Sequence, residues 1–101
     1  MAKKRAEPYD TGAVQIKGSA AKELDAIPAK HRDQILDRIR RLGENPHPLR
    51  SKKMEGKTAE GEPYYREVSG GYRIFYIVRG SAVIVIDVSD RKDAYTKKGR
   101  R

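Results

Sequence analysis

Cysteine is absent from this chain. That excludes disulfides and thiolate chemistry, and it fits a reducing cytoplasm. Long apolar runs are missing too: none reaches the roughly 18–20 residues that span a bilayer. The basic start Met1-Ala2-Lys3-Lys4-Arg5 is followed by no apolar h-region, so no signal peptide is expected. A cytoplasmic protein without membrane contact is the expectation. His31 and His47 are the two histidines, in a helical and a loop-like stretch, without ligand spacing or paired carboxylates. No metal site and no cofactor are expected. No P-loop or dinucleotide fingerprint occurs, and Gly70-Gly71 reads as a hairpin turn. No internal repeat is visible.

Acids are scarce relative to bases. Lysine and arginine total 23 against 14 aspartates and glutamates, a formal charge of +9 on 101 residues. Such a surplus attracts polyanions over a Debye length of about 8–10 Å. Nucleic acid is the first partner it suggests, and an acidic protein segment the second. The length suits one small domain with one core.

Residues 1–12 are polar and without periodicity, and read as an N-terminal arm. The folded domain is expected over 13–96, and 97–101 (Lys97-Lys98-Gly99-Arg100-Arg101) is a basic tail. Val14-Gln15-Ile16-Lys17 alternates apolar and polar, as a short strand does. Ser19 is a candidate N-cap for a first helix carrying Ala20, Ala21, Leu24 and Ile27 on one face. Pro28 ends that helix or opens the next. Ile35, Leu36, Ile39 and Leu42 give the second helix an amphipathic face. Gly43 reads as its terminator, and Asn45-Pro46 as the break. The stretch 46–62 reads as a loop.

Three strands are then expected, about 63–68, 72–78 and 82–88, joined by glycine-bearing turns. In the second, Tyr72, Ile74, Tyr76 and Val78 share one face, and Arg73, Phe75, Ile77 and Arg79 the other. In the third, Ala82, Ile84, Ile86 and Val88 share one face, with Val83 and Val85 behind them. A strand apolar on both faces belongs inside a sheet. The order is β-α-α-β-β-β: an α+β domain with a helical hairpin packed on a small, mostly antiparallel sheet. The helices cover one face and leave Arg73 on the more open one.

Two arginines and a tyrosine stand out. Arg73 lies in the strongest strand, and Arg91 and Tyr95 follow the last one. Arg66 lies on the preceding strand, and Lys52-Lys53 approach from the loop before it. Antiparallel pairing makes Arg66 and Arg73 candidate cross-strand neighbours. Like charges side by side cost stability, a cost tolerated where an anion binds. A guanidinium presents a fork of donors matched to phosphate oxygens, and a tyrosine can stack on a base.

At these residues the chain resembles the RelE/ParE superfamily of toxins, over about residues 14–96. The resemblance rests on Ser19-Ala20-Ala21-Lys22-Glu23-Leu24 before a proline, Ile39-Arg40-Arg41-Leu42 with Asn45-Pro46, and Lys52-Lys53-Met54-Glu55-Gly56. It continues through Tyr65-Arg66, Gly71-Tyr72-Arg73-Ile74-Phe75-Tyr76 and Arg91-Lys92-Asp93-Ala94-Tyr95. Its order and spacing are specific where its single motifs are not.

The resemblance implies the RelE-like fold and a toxin of a type II toxin–antitoxin system. It implies a metal-independent endoribonuclease that cuts messenger RNA in the ribosomal A site and inhibits translation. There the substrate's 2′-hydroxyl attacks the adjacent phosphate, leaving a 2′,3′-cyclic phosphate and a 5′-hydroxyl. By this resemblance Arg73 matches the strand arginine that stabilises the phosphate charge. Arg91 matches a later arginine in electrostatic or acid catalysis, Tyr95 the aromatic that orients substrate, and Arg66 a basic strand position that binds or activates it. Lys52, Lys53, Lys97 and Lys98 are expected to bind RNA or the ribosome.

The implied partners are a cognate antitoxin, the ribosome and its messenger RNA, with operator DNA reached only through the antitoxin complex. The chain departs from the RelE pattern at Val68, where a lysine acts as base, and at Asp90, where histidine is frequent. The proton acceptor is thus unassigned, with Glu67, Lys52 and Lys53 as candidates. Two alternatives share the fold: a ParE-like inhibitor of DNA gyrase without nuclease activity, and a catalytically inactive relative acting as a binding module.

Overall fold

The computed structural model describes residues 13–48 and 51–90. The elements run β1 (Val14–Ile16), α1 (Gly18–Asp25), α2 (Ala29–Glu44), β2 (Lys52–Lys53), β3 (Tyr65–Ser69), β4 (Tyr72–Arg79) and β5 (Ala82–Asp90). The expected arm 1–12, the tail 97–101 and residues 91–96 lie outside the described residues. The strands form one sheet in the order β1-β5-β4-β3-β2. Only β1 pairs parallel, with β5; the other pairs are antiparallel. The expected α+β architecture is the observed one, with β5 inside the sheet between β1 and β4.

Helices α1 and α2 lie on one face. Their apolar stripes (Ala20, Ala21 and Leu24; Ile35, Ile39 and Leu42) meet Val14, Ile16, Ile74, Tyr76, Val83, Val85 and Val88 in one buried cluster. Most of the stabilising burial is here, at about 25 cal/mol per Å² of apolar surface. Tyr76 is fully buried yet satisfied, because its hydroxyl donates to the Pro46 carbonyl at 2.6 Å. That bond ties the chain leaving α2 to the centre of the sheet.

Four local expectations need correction. Ser19 is not the N-cap: α1 already starts at Gly18, and Lys17 holds the cap position with extended backbone. Lys17 N–H still donates to the Val85 carbonyl while the Lys17 carbonyl accepts from Ala21. The chain passes from strand to helix in one residue, with no room for a separate cap. Gly43 does not end α2, which runs on to Glu44. A Cβ at Gly43 would stand 2.7 Å from Val14 Cγ2, so the glycine lets helix and strand approach.

The stretch 46–62 is not all loop, because Lys52 and Lys53 pair with Arg66 and Tyr65 as edge strand β2. Finally, β5 does not keep one alternation. Tyr76 pairs with Val85 but Phe75 with Asp87, so Ile86 is the extra residue of a bulge. The bulge turns Val83, Val85 and Val88 together onto the helix side, and Ile84, Asp87 and Ser89 onto the other. The β3–β4 loop is only Gly70-Gly71, closed by the Ser69–Tyr72 pair, and Gly70 supplies its positive φ of 59°.

Candidate functional site on the open sheet face

Strand alternation decides what faces away from the helices. In β4 these residues are Arg73, Phe75, Ile77 and Arg79, and in β3 they are Arg66 and Val68. Register arranges them in two rows. One row is Val68, Arg73 and Ser89; the other is Lys52, Arg66, Phe75 and Asp87. Strands are about 4.8 Å apart and the rows about 7 Å apart.

Arg66 and Arg73 therefore share the open face, as expected, but they are not direct neighbours. Arg73 stands opposite Val68, and Arg66 opposite Phe75, so the two arginines sit on a diagonal. A diagonal step of about 7–8 Å relaxes the like-charge repulsion and still lets both long side chains reach one phosphate. Among the described residues neither arginine, nor Lys52, is held in an ion pair. Arg66 Nε is buried and has no hydrogen-bond partner there.

Lys52 and Lys53 separate. Lys52 pairs with Arg66 and belongs to the open face. Lys53 pairs with Tyr65, whose ring stacks 5.6 Å from Tyr76 on the helix side. Glu67 also lies on the helix side, 1% exposed, with its carboxylate 3.9 Å from Arg38. Arg91, Tyr95, Lys97 and Lys98 lie outside the described residues.

The loop 54–64 crosses one end of the open face. Glu62 accepts from Arg79 Nε and an Arg79 terminal nitrogen at 2.7 and 2.8 Å. That fork lowers the Glu62 pKa below the usual carboxylate value and raises that of Arg79. Tyr64 places its ring 6.2 Å from that of Phe75. Between these two anchors the cross-strand pair Ile77 and Ile84 is buried on the same face. The face thus has an apolar end under the loop and a cationic end that carries Arg66 and Arg73.

Sequence reasoning passed over Tyr64 and Phe75 at the boundary. It also passed over Asp87 and Ser89 beside the arginines, where Ser89 Oγ donates to Asp87 at 2.8 Å. The Asp87-x-Ser89 alternation within an apolar strand was their one local signal. Among the described residues no three His, Cys, Asp or Glu side chains gather as a metal site. No helix among them is long and apolar enough to cross a membrane.

A helix pair packed on one mixed sheet is the fold this chain shares with solved RelE toxins. The crystal structure of an archaeal RelE–RelB complex from Pyrococcus horikoshii OT3 matches with a TM-score of 0.65 and 26% identity, covering 77% of this chain and 92% of that one. The RelB–RelE antitoxin–toxin complex from Methanococcus jannaschii matches at 0.62 and 28% identity, covering 81% and 95%. The isolated E. coli RelE toxin shares the fold at 0.62 and 24% identity, covering 87% and 95%. No curated protein matches. The family model for the ParE toxin of type II toxin–antitoxin systems, parDE, matches residues 14–95. The chain belongs to that family, within the RelE/ParE superfamily, and is a toxin of a type II toxin–antitoxin system.

Proposed function

We propose that this toxin is a metal-independent, ribosome-dependent endoribonuclease that cuts messenger RNA in the A site and so stops translation in the cytoplasm. The observation that carries the reading is the diagonal pair Arg66 and Arg73 on one sheet face, neither held in an ion pair among the described residues. Cleavage by the substrate's own 2′-hydroxyl needs three things. The attacking oxygen must lose its proton, the phosphorus must carry extra negative charge, and the leaving 5′-oxygen must gain a proton. Arg73 stabilises the charge, at a worth of about 3–4 kcal/mol for one preorganised donor. Arg66 holds the neighbouring phosphate.

Arg91 and Tyr95 serve the leaving oxygen and the substrate's orientation. Lys97 and Lys98 add non-specific attraction to RNA. Lys52 rather than Lys53 shares the face with the arginines, and Glu67 is turned to the core. Lys52, acting as its neutral amine, is thus our assignment for the proton acceptor. A cognate antitoxin neutralises the toxin, and the Pyrococcus and Methanococcus relatives are seen in such complexes. Operator DNA is reached only through that complex.

One observation favours a second reading. Val68 stands directly opposite Arg73, so the position that a second strand base would occupy in that row is apolar. A gyrase inhibitor of the ParE kind, or an inactive toxin acting as a binding module, needs no such base. In vitro translation with mapping of RNA ends, run beside a gyrase supercoiling assay, separates the three. Cuts with 2′,3′-cyclic phosphate ends support the nuclease; inhibited supercoiling with intact RNA supports the gyrase inhibitor; neither leaves the binding module.

A further inference from the structure

We infer that Tyr64 and Phe75 form a nucleobase-stacking platform beside the arginines, a site for one base of a single-stranded RNA. The inference rests on the RNA reading above. Phe75 is the direct cross-strand partner of Arg66 and lies two residues from Arg73 on the same face, about 7 Å along the strand. Tyr64 leans over it from the loop, with centroids 6.2 Å apart and planes tilted by 54°. Both residues are only partly buried. They stand where the apolar end of the face meets its cationic end.

Adjacent phosphates held by Arg73 and Arg66 put the nucleotide between them close to this boundary. Single-stranded RNA is bound by this pairing of cations for the backbone with an aromatic face for a splayed base. A purely structural role predicts something else. If Tyr64 only shields Ile77 and Ile84 from water, any apolar side chain of similar size replaces it.

The test uses the full chain and two fluorescein-labelled hexanucleotides. One is 2′-O-methyl oligoadenylate, which resists cleavage; the other is the same backbone with abasic central positions. Affinities are read by anisotropy at low salt. The wild type is expected to bind the base-bearing strand about tenfold more tightly than the abasic one. Tyr64→Phe keeps that ratio. Tyr64→Leu brings it close to one while leaving abasic affinity unchanged, and Phe75→Leu does the same. Thermal unfolding of each variant shows that the fold is intact, and a variant that fails to fold is replaced by the other. A wild-type ratio retained in both folded leucine variants overturns the platform while leaving the nuclease reading standing. No binding of either strand by the wild type also overturns the platform, while the nuclease reading is decided separately by end mapping on ribosomes.

Discussion

The two faces of the sheet are built from the same strands and do opposite things. On the helix side, Ile74, Tyr76, Val83, Val85 and Val88 are sealed in the core. The polar groups admitted there have partners: Tyr76 bonds the Pro46 carbonyl and Glu67 faces Arg38. On the open side, one residue away along the chain, Arg73 and Arg66 stand without an ion-pair partner among the described residues. Burial without a partner is costly for a charge, whereas half-exposure beside a like charge is tolerable. The period of two lets one strand supply both a rigid floor and a reactive surface.

The sharpest break between the faces comes from Arg73→Ala. It is expected to cut RNA cleavage by about 10²–10³-fold with little change in thermal stability, measured by end mapping and calorimetry. Ile39→Ala should do the reverse. It opens a cavity under the sheet and costs about 2–5 kcal/mol of stability in urea titration. An activity loss with unchanged stability in Ile39→Ala would blur the division.

Gly43→Ala is a finer probe. Alanine gains about 1 kcal/mol in helix propensity, but its Cβ meets the stiff Val14 side chain at 2.7 Å. Overpacking of this kind costs about 1–3 kcal/mol, so net destabilisation near 1 kcal/mol is expected. Adding Val14→Ala should remove the clash, and a double-mutant cycle reads that coupling.

Two pH effects complete the comparison. Burial pushes the Tyr76 phenol above its ordinary value, partly offset by a hydrogen bond with Ser51. A group whose folded pKa is raised stabilises the fold below its unfolded value and loses that contribution as pH climbs past about 10. Tyr76→Phe should therefore flatten the alkaline limb of the stability curve. Glu62 is the opposite case, its pKa lowered by Arg79. Its contribution is present above the ordinary carboxylate pKa and fades as pH falls below it. Because the pair is exposed, Glu62→Gln should give the smallest effect, confined to stability above about pH 4 and absent in acid.

Local pattern made much of this legible. Alternation in 72–79 separated Arg73 from Ile74, and the spacing of Ile35, Ile39 and Leu42 gave the core face of α2. What pattern missed was decided at a distance. The Ile86 bulge depends on how β5 pairs with β4, and Lys52-Lys53 becomes a strand only because β3 lies beside it. Gly43 carried a helix-end signal, but Val14 across the packing interface gives it a different reason. In the site, Arg66 and Arg73 were separable from the core by parity alone. The opposition of Val68 to Arg73 needed the two-residue turn at Gly70-Gly71, and Tyr64 needed the path of the loop over Phe75.

The most direct measurement adds the purified toxin, or its Arg73→Ala variant, to programmed ribosomes and maps the RNA ends. A-site cuts with 2′,3′-cyclic phosphate and 5′-hydroxyl ends are expected from the wild type, and almost none from the variant. Intact RNA with the wild type, or equal cutting by both, would contradict it.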